Sequence, residues 1–217
     1  NWACIANVIR MNISYNNFDM LEIGYGINLR PLAVFAQSVY GDDPCEFFKP
    51  HILDTNKYDP VPEELAAKMH KAIAICQFKV EGWKIKAHPE YEMNDRLLLD
   101  KIDHKKGTIL INGIEYPMRD SNLPTVDPSD PYRLTQAEAE LLSTLEASFL
   151  NSEKLQKHMK FMFNNGAMYK IVNGNLLYHG CIPMTADGEF EECEFNGVVS
   201  KGRGLLDDID EQVRKAY

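Results

Sequence analysis

The chain has 217 residues, 45% of them hydrophobic, enough for one large core or two small ones. Its net charge of −9 speaks against a nucleic-acid or anionic-membrane surface, because neutralising phosphates needs an excess of Lys and Arg. Five cysteines at irregular spacing, with no C-x-x-C pair, fit a reducing cytoplasm better than a disulfide framework, and no apolar run reaches the ~20 residues of a membrane span.

In chain order, "NWACIANVIRM" puts Trp2, Ile5 and Ile9, with Val8 beside them, on one stripe, so the sequence opens inside a predicted helix. At the other end "LLDDIDEQVRKAY" stops while still amphipathic, and both edges read as cut. "INLRPLAVFAQSVYGDD" predicts a helix over 28–40, with Asn28 as cap, Pro31 in the first turn and Gly41 at the close. Arg30 opposes the helix dipole there, which points either to an anionic ligand or to a salt bridge with a carboxylate. The next helix is predicted over 62–80, after Asp59, Pro60 and Pro62, with Leu65, Met69, Ala72, Ile73 and Cys76 on its apolar stripe. His70 lies off that stripe and is expected in solvent.

"GTILINGIEYPM" changes the period to two and predicts a hairpin near 107–119 about Asn112-Gly113, a pair suited to a type I′ turn. The Pro, Asp and Ser of "RDSNLPTVDPSDPYRLT" read as an ordered loop. Thr135 and Glu138 form a T-x-x-E capping box, Leu134 stands where a staple would pack, and Leu141, Leu142, Leu145 and Phe149 give the helix its apolar face. Ser152 is the expected cap of another helix, carrying Leu155, Met159 and Met162 or Phe163 and closing at Gly166, and the two helices are expected as an antiparallel pair. Strands then follow over 168–179 about Asn173-Gly174, a hairpin over 190–200 about Asn196-Gly197, and a helix over 204–217. The reading is a mixed α/β (α+β) fold, with a mostly helical part at 1–166 and a strand-rich part at 167–217.

In "NLLYHGCIP", Leu176 and Tyr178 share one face of the strand, and Leu177 and His179 the other. Two leucines are expected to be buried in a core strand, so His179 would be delivered by a rigid element to its carboxyl end, as a ligand or as a hydrogen-bonded core residue. Gly180 lets the chain turn away without a side chain over the ring. Cys181 reads as a small buried filler, or else as a nucleophile or soft ligand.

The segment "NGNLLYHGCIP" resembles the strand-and-histidine element of the calcineurin-like metallophosphoesterases. Together with "GYGINLRPLAVFAQSVYGDDPCEFF", "LPTVDPSDPYRLT" and "SFLNSEKLQKHMKFMFNNGAMYK", nearly the whole chain is similar to bacterial class III fructose-1,6-bisphosphatases. The resemblance implies a metallophosphoesterase β-sandwich core with a helical insertion. It also implies a dinuclear divalent centre, with manganese as the expected ion and His179 as one ligand, and hydrolysis of the 1-phosphate of fructose 1,6-bisphosphate in gluconeogenesis. The superfamily's D-x-H, G-N-H-D and late histidine motifs are absent, and Gly41-Asp42-Asp43 lies in a helix exit without the pattern that follows the family's G-D motif; the G-N-H-D motif is expected shortly before Asn1 and the late histidine motif after Tyr217. An internal piece of a longer enzyme, inactive when isolated, is therefore expected, its missing ligands lying in flanking segments.

Lys201 and Arg203 in "SKGRGLLDD" precede a predicted helix start, where backbone N–H groups favour anions. With Arg30 they are candidates for holding the uncleaved phosphate of a sugar bisphosphate, or an anionic effector. The alternative is a flexible basic loop offsetting Glu189, Glu191 and Glu192. Two other functions stay open: a regulatory or homo-oligomerisation module whose helices 62–80 and 134–164 pack on a second subunit, and a related phosphoesterase with another substrate.

Overall fold

The computed structural model describes residues 1–51 and 61–217, so Asp59 and Pro60, expected just ahead of the third helix, lie outside the described residues. Helix and sheet are mixed, with six α-helices and three separate antiparallel sheets among the described residues. The chain divides into two compact units, Asn1–Lys154 and Leu155–Tyr217.

Unit 1 is organised by one long helix. Helices α1 (Trp2–Ser14), α2 (Arg30–Tyr40) and α3 (Glu63–Ala87) come first, and α1 and α2 both pack on α3. Glu63 and Glu64 in the first turn of α3 and Lys84 and Lys86 in the last suit its dipole. The helix runs seven residues beyond Val80, the end predicted from sequence, because Gly82 does not break it. Gly82 instead lets the Tyr132 ring approach so closely that any Cβ there would overlap it. Tyr132 joins Ile85, Leu97 and Leu99 in a cluster over the end of α3, and its hydroxyl accepts from Leu99 N and donates to Asp100.

Most apolar residues of α3 are consumed inside the unit, Ala66, Ala67, Met69, Ala72, Ile73, Ala74, Ile75 and Cys76 all being buried, while Phe78 and Trp83 are exposed. His70 is half-buried, a correction to the solvated position expected. Its Nδ1 lies 2.8 Å from the Phe48 carbonyl oxygen, and burial, helped by Arg10 and His51, lowers its pKa against the pull of that carbonyl.

Strands β1 (Ile102–Asp103), β2 (Thr108–Ile111) and β3 (Ile114–Pro117) form an antiparallel sheet, with positive φ at Asn112 and Gly113 as a type I′ turn requires. Helix α4 (Gln136–Leu150) opens with the predicted capping box, Glu138 N donating to Thr135 Oγ1 at 3.2 Å and Thr135 N to Glu138 Oε2 at 2.7 Å. It packs against α1 and α2, Trp2 Nε1 donating to Glu146 at 2.8 Å.

Helix α5 (Glu153–Asn165) carries the division between the units near its first turn. At its start Ser152 Oγ donates to the Tyr25 carbonyl. Unit 2 continues with the ribbon β4 (Tyr169–Val172) and β5 (Asn175–Tyr178), the hairpin β6 (Cys193–Phe195) and β7 (Val198–Ser200), and α6 (Arg203–Ala216). Arg214 fastens α6 to the end of α5, donating to the carbonyls of Phe163 at 3.0 Å and Gly166 at 2.8 Å, while Tyr217 stacks on Phe163.

Candidate functional site

The ribbon that carries His179 is built by its turn. Asn173 and Gly174 both have positive φ, and the register pairs Tyr169 with Tyr178 and Ile171 with Leu176 on one face, Lys170 with Leu177 on the other. Leu176 and Leu177 are 47% and 54% exposed, so the expectation of a buried core strand is corrected. The ribbon has only two strands, and the described part of unit 2 supplies no layer over these leucines.

His179 follows the last residue of β5, exposed and without a hydrogen bond or ion pair among the described residues. Gly180 beside it has φ +104°, a backbone only glycine adopts easily, so the turn away from the imidazole depends on it. Cys181 is exposed rather than the buried filler expected. Among the described residues no three His, Cys, Asp or Glu side chains gather to hold a metal ion. A divalent ion that sheds water needs several donors, so the described residues by themselves do not fit a dinuclear centre.

Lys201 and Arg203 flank Gly202, the residue ahead of α6, against which the Phe190 ring packs. Lys201 Nζ pairs with Glu192 at 3.3 Å, one of the carboxylates anticipated to offset it. Arg203 Nε lies 3.4 Å from Asp207, its guanidinium stands over the Tyr169 ring, and Tyr169 donates to the other Asp207 oxygen at 3.0 Å. Both cations thus sit in exposed pairs, which contribute little and are exchangeable. Arg30 belongs to unit 1. Its backbone N–H donates to Asn28 Oδ1 at 3.0 Å, and its guanidinium forms no ion pair among the described residues.

The most heavily buried charges escaped the sequence reading. Lys71 is fully buried and donates to Asp43 at 2.7 Å and to both oxygens of Asp120 at 2.8 and 2.7 Å, with Asn122 donating to Asp43 at 2.6 Å. Burial opposes ionisation of Asp43, but the hydrogen bonds from Lys71, the Cys45 amide and Asn122 outweigh it and hold the carboxyl down to about 2. Lys79, also fully buried, donates to Glu138 and to the Thr125 carbonyl, and Lys68 to the Gly41 carbonyl. Three lysines at helical spacing beside an apolar stripe were the available signal. They bind the loop after β3 and the turn after α2 to the central helix, which is an architectural task.

The family described as Firmicute fructose-1,6-bisphosphatase matches residues 1–217. Proteins named "Fructose-1,6-bisphosphatase class 3" from Clostridium tetani and Fusobacterium nucleatum are each 52% identical, over 99% and 100% of this chain but 32% and 33% of their own lengths. The protein of that name from Bacteroides thetaiotaomicron is 51% identical over 100% of this chain and 33% of its own. No solved structure matches. The chain therefore spans about a third of the length of the curated relatives it matches. With every residue inside the family's match and half of them shared with its members, the chain belongs to the Firmicute fructose-1,6-bisphosphatase family.

Proposed function

We propose that this chain is part of a fructose-1,6-bisphosphatase that hydrolyses the 1-phosphate of fructose 1,6-bisphosphate to fructose 6-phosphate in the gluconeogenesis of a reducing cytoplasm. The observation that carries the reading is identity of about one residue in two along the entire chain with proteins of that name. In it, residues 167–217 form part of a metallophosphoesterase sandwich core, and His179 supplies one neutral imidazole to a divalent, manganese-type centre whose other donors come from polypeptide outside these 217 residues. That centre would supply a metal-activated water for attack on the phosphoryl group. Lys201, paired with the exposed Glu192, and Arg203, paired with the exposed Asp207 and standing over the Tyr169 ring, can exchange those carboxylates for a phosphate, and the Arg30 guanidinium forms no ion pair among the described residues. A homo-oligomer is compatible with this arrangement.

The test is a chimaera in which residues 1–217 replace the matching stretch of the Clostridium tetani relative, assayed with manganese on fructose 1,6-bisphosphate and on a panel of other phosphomonoesters. Phosphate release from the bisphosphate should fall at least about tenfold on His179→Ala, the lower end of what even an outer-sphere metal partner costs. Preference for another phosphomonoester would reassign the substrate. No turnover on any of them, in a folded chimaera, would end the reading.

A further inference from the structure

The β4–β5 ribbon is inconsistent with a unit that is finished. Its register gathers Tyr169, Ile171, Leu176 and Tyr178 on a single face with no charged residue among them. Antiparallel sheets that face water are ordinarily polar on that side, and a lone two-stranded ribbon is marginal in water. Tyr169 is half-buried beside Arg203 and Asp207 of α6, but Ile171, Leu176 and Tyr178 are 61%, 47% and 48% exposed. In the whole of unit 2, only Leu205 and Leu206 count among the buried hydrophobic residues described.

We infer that this face is the seat on which the rest of the enzyme's own polypeptide packs, an apolar surface from the two thirds of length that the relatives carry outside the matched stretch. The inference rests on the reading of the chain as part of a longer phosphatase. A second copy is the weaker occupant on grounds of area. A stable dimer buries about 800 Å² per partner over some 20–30 residues, whereas three side chains on a short ribbon offer a few hundred at most. A neighbour in the same polypeptide needs no such area, because tethering supplies a high effective concentration.

Side-chain oxidation by hydroxyl radicals reads the face directly. In the isolated chain Ile171, Leu176 and Tyr178 should oxidise freely, and in the Clostridium tetani chimaera at least about fivefold less, the change from half exposed to buried. The pair Ile171→Lys and Leu176→Lys should leave the thermal midpoint of the isolated chain unchanged and lower that of the chimaera. The intact relative, footprinted at its own positions matching 171, 176 and 178, keeps the test decisive if the chimaera does not fold. Equal oxidation in chain and chimaera, or an equal loss of midpoint in both, overturns the inference. So does protection in the isolated chain that grows with its concentration, the mark of a second copy. A chimaera that hydrolyses the bisphosphate with its ribbon still exposed refutes the seat alone; a protected ribbon without hydrolysis refutes the activity alone.

Discussion

Lys79 Nζ lies 2.7 Å from Glu138 Oε2, and neither side chain is more than 1% exposed. Glu138 is at the same time the closing residue of the capping box on α4, so one carboxylate joins that helix start to the central helix. Removing one partner leaves the other charged and desolvated. Lys79→Met should cost about 3–5 kcal/mol, and adding Glu138→Gln, which keeps an oxygen for Thr135 N while removing the charge, should recover part of it. Urea midpoints of both variants check this; a Lys79→Met variant within about 1 kcal/mol of the parent shows the pair to be dispensable.

Gly82 and Tyr132 give a test with a change of sign. In an ordinary helix, Gly→Ala stabilises by about 1 kcal/mol. Here the added Cβ would overlap the Tyr132 ring, so Gly82→Ala should instead destabilise by about 1–3 kcal/mol. In a Tyr132→Ala background the obstruction is gone, and the same substitution should become neutral or favourable. Additive effects in that double-mutant cycle would mean that the ring is not what keeps a glycine at this position.

Acid should act through Asp43. Its carboxyl titrates near 2 when folded and near 4 when unfolded, so its contribution is complete above pH ~4 and disappears as the pH falls toward 2. About two pH units correspond to on the order of 2 kcal/mol. Between pH 5 and pH 2.5 the parent should therefore lose more stability than Asp43→Asn, which keeps the Lys71–Asp120 pair but has no proton to take up. Parallel curves for the two proteins would remove Asp43 from the acid response.

Local signals were legible in the sequence. The Thr135–Glu138 box and the three Asn-Gly turns depend on residues within a few positions of one another, and all four formed where the sequence placed them. What stayed hidden depends on distant neighbours. Lys71 is matched by Asp120 and Lys79 by Glu138, 49 and 59 residues away, and neither lysine differs locally from one in water. Likewise α3 outruns its predicted end because a tyrosine fifty residues on makes Gly82 useful. His179 was singled out from its strand, but Leu176, Leu177 and Cys181 were given a burial that a two-stranded ribbon cannot supply.

The same ribbon sets the expectation for metal. A single exposed imidazole without convergent carboxylates binds a divalent ion too weakly to shift unfolding, because stabilisation grows only with the ratio of ion to dissociation constant. The thermal midpoint of the isolated chain should be indifferent to manganese or to a chelator, and His179→Ala should leave it where it was, since the ring has no partner among the described residues to lose. A manganese-dependent rise that His179→Ala abolishes would show that these residues assemble a metal site unaided, and the dependence on outside donors would have to be abandoned.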